Sequence, residues 1–174
     1  QMRALIAQMR MRRDRAVVFD LTGAYVEAFY NPQTDVILNP MDERCPSWSV
    51  FGEAKNHADF TGIAAALLPA DGGGAEPFWM LAARTLFVET CIKLIKDGQA
   101  TNQALASRLM MADLKEVHKM LENTVADPLT APEAAKMAES IRAVFNTNAQ
   151  GLRFLPEGKE PFSIQAWIRT DDKP

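Results

Sequence analysis

Cysteine and histidine are scarce in this sequence, which has two of each among 174 residues. Cys45, Cys91, His57 and His118 lie far apart and do not form the closely spaced ligand pairs of zinc sites. Two cysteines also cannot build a disulfide framework. The sequence therefore predicts no metal site, and it favours a reducing compartment.

An excess of positive charge is also missing, because 19 Lys and Arg face 22 Asp and Glu, a net charge of −3. Binding to nucleic acid through the whole surface requires a surplus of cations, so any phosphate contact should be local. No run approaches the roughly 18 apolar residues of a membrane span, and the N-terminus lacks the pattern of a secretory signal. We expect no membrane contact by this segment.

The sequence motifs of common enzyme classes are absent. No serine lies in a G-x-S-x-G elbow, and no nucleophile and base stand out as a pair. Three glycines at 72–74 suggest a phosphate loop, but they follow a predicted helix, lack a terminal Lys and Ser or Thr, and precede Pro77. The sequence predicts no catalytic residue and no cofactor in this chain itself.

The first 42 residues show alternating helical and strand signals. Four apolar residues at helical spacing predict an opening helix already under way at Gln1, so we expect further residues upstream; they are Met2, Leu5, Ile6 and Met9. Four arginines end that helix, where cations meet the negative end of the helix dipole, and a solvated helix end explains them most simply; they are Arg10, Arg12, Arg13 and Arg15.

Two short apolar runs follow that helix. Residues 16–19 form a run closed by Asp20, and 35–38 form a second run, each as expected for a buried strand of a parallel sheet. Thr22 is the predicted N-cap, and Gly23 the tight turn, of a helix between them. Helix, strand, helix and strand in this order are typical of a doubly wound sheet.

From about residue 49 to 155 the period-2 signal disappears and helical patterns dominate. Capping signals at Thr101, Asp113 with Glu116, and Thr130 with Glu133 predict helix starts, and Ser163 is the predicted cap of a last short turn. The predicted helices cover 57–68, 78–95, segments beginning at 101 and 113, and one long helix from 134 to about 155. The fold class is thus mainly α, a helical bundle flanked by α/β fragments.

Some side chains of the predicted bundle invite a functional interpretation. Arg84 and Trp79 lie outside the polar stripe of helix 78–95, where Glu89 and Lys93 are an i, i+4 pair; a structural ion pair for Arg84 is favoured over a ligand contact. His118 lies on an apolar face, which favours a hydrogen-bonded core histidine over a catalytic base.

Three basic residues form the best candidate docking surface, and they are Arg108, Lys115 and Lys119. Lys115 and Lys119 share one face of a capped helix. Nucleic acid or an acidic peptide could dock on this strip, and a merely solvated helix surface is the alternative.

Several blocks of sequence, taken in order, resemble one family. They are V-V-F-D-L-T-G-A-Y-V-E-A-F-Y (17–30), I-L-N-P-M-D-E-R-C-P-S-W (37–48), E-P-F-W (76–79), R-T-L-F (84–87), S-I-R-A-V (140–144) and E-P-F-S-I-Q-A-W-I-R (160–169). Together they span nearly the whole chain, which resembles the TraD-like coupling proteins of type IV secretion and bacterial conjugation.

The resemblance implies a domain division. Residues 1–42 would be a partial RecA-like motor segment, 43–160 an all-α insertion domain, and 161–174 a return segment toward the motor domain. The parent protein would be a hexameric ATPase that uses ATP and Mg, with its phosphate loop just before Gln1 and its acidic magnesium-binding strand after Pro174. This fragment would lack the ATP site and would not be an enzyme on its own.

The resemblance also implies partners and a location. The parent would be anchored in the bacterial inner membrane, with this domain on the cytoplasmic side at the entrance of the homohexameric ring. Its partners would be relaxase and other relaxosome proteins, single-stranded DNA and components of the secretion channel. The matching positions of unknown role are Asp20, Thr22, Gly23, Asp42, Arg44, Trp48, Trp79 and Arg84.

Asp42, Arg44 and Trp48 are expected to form an interdomain clamp of an ion pair and a buried aromatic. Two functions remain open at this point. In the first, the domain recognises the relaxase–DNA substrate; in the second, it is a mechanical or assembly element of the ring without direct substrate binding.

Overall fold

The structure is a computed structural model that describes residues 1–69 and 77–170. The glycines at 72–74 and the end of the predicted return segment lie outside these residues. Because ten helices and one short sheet make up the described chain, the predicted mainly α class is confirmed.

The N-terminal part contains two helices with little burial, α1 (Met2–Arg12) and α2 (Ala24–Phe29). The predicted opening helix is confirmed, but Ile6 is its one buried residue and α2 buries none. Met2 is about half exposed. Most of the apolar side chains of α1 are therefore not packed against the helical bundle in the described structure.

The two strands predicted at 16–19 and 35–38 do not form, and this is a correction to the sequence analysis. Val17 is 85% exposed and Phe19 is 87% exposed. A parallel strand needs hydrogen-bonding neighbours in its sheet, and the described residues offer neither segment such a partner. The boundaries 1–42, 43–160 and 161–174 stay a prediction.

Seven helices build the bundle. They are α3 (Val50–Glu53), α4 (His57–Leu67), α5 (Pro77–Lys96), α6 (Asn102–Met110), α7 (Leu114–Leu121), α8 (Asp127–Thr130) and α9 (Ala135–Asn148). The long apolar helix α5 packs against α4, α6, α7 and α9 and lies at the centre of the bundle. Phe87 of α5 is fully buried, as are Phe60 of α4 and Phe145 of α9, and burying large apolar side chains is the main stabilising contribution to such a core.

The last bundle helix is shorter than predicted. Instead of continuing to about residue 155, α9 ends at Asn148, and a 3-10 turn follows at Gln150–Arg153. The side chain of Asn148 donates to the Val144 carbonyl, and Gly151 favours a break. At about 1.5 Å per residue α9 spans about 21 Å rather than about 35 Å.

The predicted helix caps have mixed outcomes. Thr101 and Ser163 accept hydrogen bonds from backbone amides three residues ahead, as predicted. Asp113 caps α7 through the Lys115 amide at 2.8 Å, but Glu116 does not complete a capping box because it pairs with Arg108.

Two further cap assignments are wrong. Thr130 does not cap α9; it ends α8, and its hydroxyl donates to the Asp127 carbonyl, while Pro132 starts a separate 3-10 turn. Thr22 is not the N-cap of α2 either, since Gly23 occupies that position with φ 78° and the Asp20 carboxylate accepts from the amides of Tyr25 and Val26.

A two-stranded parallel sheet joins the two passages of the chain beside the bundle. β1 (Ser47–Trp48) pairs with β2 (Pro161–Phe162) in the register Ser47–Pro161 and Trp48–Phe162. The helix α10 (Ile164–Arg169) follows directly. We call β1, α3, β2 and the start of α10 the neck. Two-residue strands carry no usable sequence period, so the sequence analysis missed this sheet.

Residues near the two ends of the described chain are in contact. Arg15 donates to the Ile168 carbonyl at 2.9 Å and to the Thr170 hydroxyl at 3.1 Å, and its guanidinium lies 5.8 Å from the centre of the Trp167 ring. The segment between α1 and α2 is therefore in contact with the C-terminal end of α10.

Candidate functional site

The predicted basic strip lies on the consecutive helices α6 and α7. Arg108, in the last turn of α6, places Nη1 3.2 Å from Oε2 of Glu116 on α7. Lys115 and Lys119 are exposed one turn apart on α7, and the described residues give neither a carboxylate partner. The structure thus brings the three residues to neighbouring helices, with two cations free toward solvent and one paired.

The core-histidine interpretation of His118 agrees with its surroundings. Its Nδ1 lies 3.4 Å from the Thr130 hydroxyl and 3.5 Å from Oδ1 of Asp127, which ties α7 to α8. Four-fifths of the side chain is covered. The histidine therefore supports the helix that carries Lys115 and Lys119.

The most connected polar group of the neck is the carboxylate of Glu53, which the sequence analysis did not single out. Glu53 is buried at the end of α3 and accepts the indole N–H of Trp48 at 3.1 Å. It also accepts the amides of Ile164 at 2.6 Å and Gln165 at 3.0 Å. These amides belong to the first turn of α10, where orphan N–H groups and the helix dipole favour an anion. Glu53 thereby holds α10 against the start of the bundle.

A second buried polar residue, Asn102, joins the neck to α6. Its Nδ2 donates to the Trp48 carbonyl at 2.7 Å, and its Oδ1 accepts the Val50 amide at 3.1 Å. Both backbone groups flank the start of α3 and would otherwise lack partners. Asn102 therefore fixes β1 and α3 to the first residue of α6.

Lys159 supports the other side of the neck. Its ammonium donates to the carbonyls of Glu43 at 2.7 Å and Cys45 at 3.3 Å, and its amide donates to the Ser47 hydroxyl. Sequence reasoning missed Glu53, Asn102 and Lys159 because their partners lie 5 to 116 residues away. The only local signal was an asparagine directly after the Thr101 cap, at a helix position where it is not favoured.

Asp42 and Arg44 form the predicted ion pair. Oδ1 of Asp42 accepts Nε of Arg44 at 2.9 Å and Oδ2 accepts Nη2 at 2.7 Å, and the guanidinium lies 4.8 Å from the centre of the Tyr30 ring. The side-chain hydrogen bonds from Arg44 lower the pKa of Asp42 to about 2. Trp48 is half-buried and bonds to Glu53 instead, so a clamp between domains stays a prediction.

Asp20 and Gly23 shape the turn before α2. Amides of Val26 and Tyr25 donate to the Asp20 carboxylate and lower its pKa below the ordinary value, although partial desolvation opposes this. Gly23 adopts a positive φ that side chains rarely accept. Thr22 is exposed beside them. These positions act here in local turn formation.

Arg84 and Trp79 both lie on α5, and the predicted ion pair of Arg84 is wrong. Its Nε donates to the Leu68 carbonyl at 2.9 Å, and no carboxylate pairs with it among the described residues. The carbonyl ends α4, where unpaired acceptors attract a cation.

Trp79 is half-buried against the core and packs edge-on to Phe78. Lys93 pairs with Asp97 rather than with Glu89.

The cysteines are not suited to nucleophilic chemistry. Cys45 and Cys91 are both buried and free, and burial raises the pKa of each thiol. Within residues 1–69 and 77–170, no cluster of three His, Cys, Asp or Glu could hold a metal ion. The same residues include no helix long and apolar enough to cross a bilayer.

Known proteins resemble this chain along its whole length. The model of the family described as the type IV secretion-system coupling protein DNA-binding domain matches residues 1–174. This chain belongs to that family. The coupling protein TraD of Escherichia coli (strain K12) is 33% identical over 170 residues, which cover 96% of this chain and 24% of TraD. The TraD-like resemblance is thus confirmed.

Solved structures of the coupling protein TrwB share the fold. TrwB in complex with ADP and Mg2+ superposes with a TM-score of 0.85 at 30% identity, covering 99% of this chain and 41% of that one. The unbound monoclinic form of TrwBdeltaN70 gives a TM-score of 0.84 at 30% identity, covering 97% and 40%. The chain therefore spans about a quarter of TraD and two fifths of the TrwB chains.

Proposed function

We propose that this coupling-protein DNA-binding domain recognises the relaxase–DNA substrate for a conjugative DNA-translocating motor. The observation that carries the proposal is the exposed pair Lys115 and Lys119 on α7, without carboxylate partners in the described chain. Asn102 at the neck and Arg108 are six residues apart on α6, so the strip lies about 9 Å further along that helix. A ligand on the strip would therefore not need to displace the neck.

The strip is suited to a phosphate backbone or an acidic peptide. Lysine ammonium groups on a rigid helix attract anionic ligands as point charges, and Arg108 could exchange its exposed partner Glu116 for a phosphate oxygen. Relaxase, other relaxosome proteins and single-stranded DNA are the partners that we propose for this face.

The parent protein would supply the energy. We propose a homohexameric ATPase that uses ATP and Mg outside this chain, in contact with secretion-channel components and anchored on the cytoplasmic face of the bacterial inner membrane. The TrwB structures with ADP and Mg2+ and with a non-hydrolysable ATP analogue support nucleotide use by a relative. Residues 1–42 and 161–174 would then belong to the motor.

The neck favours a second candidate, a mechanical or assembly role. Glu53 connects α3 to α10, and Asn102 connects β1 to α6, so movement of the flanking segments would pass into the bundle through buried hydrogen bonds. In that case the basic strip would be a solvated surface, and substrate binding would be incidental.

One experiment separates the two candidates. Arg108, Lys115 and Lys119 are replaced together by glutamate in the full-length parent, and DNA transfer and hexamer assembly are measured. If the domain is a receptor, transfer falls at least tenfold while hexamers form normally. Loss of hexamers would instead support the assembly role, and normal transfer would refute the receptor role of the strip.

A binding assay with this chain complements it. Pull-down of relaxosome proteins and titration with a labelled single-stranded oligonucleotide at two salt concentrations test recognition directly. Absence of binding in both would contradict the proposal.

A further inference from the structure

Positive charge is concentrated at the start of this chain. Residues 1–15 hold five arginines and one aspartate, a charge of +4, which leaves −7 for the other 159 residues because the whole chain carries −3. A DNA-binding domain with a net negative charge must place its phosphate contacts where cations outnumber acids. By this criterion the end of α1 is favoured over most of the bundle surface.

The arginines at the end of α1 are accessible, and we call Arg10, Arg12 and Arg13 the arginine end. All three are exposed. Arg10 pairs with Asp35, and Nε of Arg12 lies 2.8 Å from Oδ2 of Asp14. Arg13 has no ion pair or side-chain hydrogen bond within the described chain. These ion pairs are partly exposed, so exchanging a carboxylate for a phosphate would cost little.

The backbone of Arg13 gives an independent reason to expect a role for its side chain. Arg13 follows α1 in the left-handed region, with φ 56° and ψ 39°, and its amide donates to the Arg10 carbonyl at 3.0 Å. Glycine is the usual residue at this helix end because it adopts that conformation without steric cost. Glycine would make the same backbone bonds, so ending the helix does not explain the arginine. A strained non-glycine residue at an exposed position is a pointer to function.

We propose that Arg12 and Arg13 bind the phosphate backbone of DNA, as a second contact separate from the strip on α6 and α7. This inference rests on the proposed DNA contact of the domain. The planar guanidinium groups suit phosphate oxygens because they can donate two parallel hydrogen bonds. The contact reads no sequence, and it adds affinity that depends strongly on salt.

The test is a titration of this chain with a fluorescent single-stranded oligonucleotide over a range of salt concentrations. Arg12→Gln/Arg13→Gly removes both guanidinium groups. The slope of log K against log salt is negative, and each lost phosphate contact reduces its magnitude by about 0.7. We therefore expect a slope that is shallower by about 1.4 and binding that is about 25-fold weaker at 0.1 M salt.

Two further variants control for charge and for folding. Lys136→Gln/Arg153→Gln removes two exposed cations, one on α9 and one in the 3-10 turn that follows it, and should leave the slope nearly unchanged. Arg12→Gln/Arg13→Gln keeps a side chain at the strained position and should bind as weakly as the glycine variant. The melting temperature of the glycine variant should not fall, which separates lost binding from lost structure.

The outcomes distinguish this inference from the proposed function. An unchanged affinity and salt slope in the Arg12 and Arg13 variants overturns the inference, and if Lys115→Gln/Lys119→Gln then weakens binding, the proposed docking strip stands alone. Absence of DNA binding by the unsubstituted chain overturns the inference together with the DNA part of the proposed function. A fall in slope in the arginine variants but not in the bundle control supports it.

Discussion

The helical bundle and the N-terminal segment differ in how they use apolar residues. In the bundle, Phe60, Phe87 and Phe145 are fully buried in the core. In the N-terminal segment, Val17 and Phe19 lie almost fully exposed although their sequence pattern is that of a buried strand. A run of exposed apolar residues is typical of an interaction surface.

The comparison teaches that one chain can contain a region with its own core and a region without one. The bundle buries its apolar faces against its own helices, so its stability is internal. The N-terminal segment is held by polar contacts such as Arg15 with Thr170 and Asp42 with Arg44. Exposed contacts of this kind contribute little free energy, so we expect this region to open before the bundle does.

The largest expected difference between the regions is in the effect of phenylalanine truncation. Phe145→Ala should reduce the free energy of unfolding of the bundle by about 3 to 5 kcal/mol, because it leaves a cavity in a fully packed core. Phe19→Ala, at an 87% exposed position, should change it by less than about 0.5 kcal/mol. Urea denaturation measures both. Equal losses would show that Phe19 is packed in solution and would remove the contrast.

A smaller effect is expected at the neck, where the two regions meet. Asn102→Ala leaves the Trp48 carbonyl and the Val50 amide without their buried partner, and it should cost about 2 to 3 kcal/mol. Asn148→Ala is the matched control, because that side chain is exposed and bonds only within its own helix. Thermal unfolding followed by circular dichroism compares the two. A similar melting temperature for both variants would contradict a structural role for Asn102.

The smallest effect concerns pH and Asp42, which lies at the boundary between the regions. Its pKa in the folded chain is about 2, below the ordinary 3.8. The contribution of the ion pair is therefore complete above about pH 4 and is lost as the pH falls toward 2, because the folded state binds the proton less readily than the unfolded state. An NMR titration of the carboxyl carbon measures this pKa.

Two substitutions sharpen that measurement. Arg44→Gln removes the hydrogen bonds that are the main cause of the shift, so the pKa should return toward 3.8. Lys159→Gln removes only a weak charge effect and should move the pKa much less. Equal shifts in the two variants would show that general charge, not the bond to Arg44, sets the pKa.

Much of the bundle could be predicted from sequence because helix periodicity is a local signal. The helix from His57 and the apolar helix α5 are present as expected, since both have long stretches with one consistent pattern. The prediction of strands at 16–19 and 35–38 failed because strand pairing, unlike helix periodicity, depends on residues that are distant in sequence. Their pattern predicts burial, but a strand exists only with a hydrogen-bonded neighbour, which the described residues do not provide.

The contacts of the neck could not be predicted from the sequence either, because they too join residues far apart in the chain. Glu53 accepts the amides of residues 164 and 165, so its role depends on contacts across more than 100 residues. For the docking surface, the spacing of Lys115 and Lys119 predicted a shared exposed face, but it could not show that Arg108 pairs with Glu116. The part that each residue plays in binding stays a prediction.

The parallel pairing of β1 and β2 constrains how the bundle could be removed or exchanged. Trp48 and Phe162 lie side by side, but the two strands run in the same direction, so a tight hairpin cannot link them. A shortened protein that joins residue 48 to residue 160 would need a crossover of about a dozen residues to preserve the register. Any domain transplanted onto the neck must likewise bring the chain from the carboxyl end of β1 back to the amino end of β2, at the opposite end of the sheet.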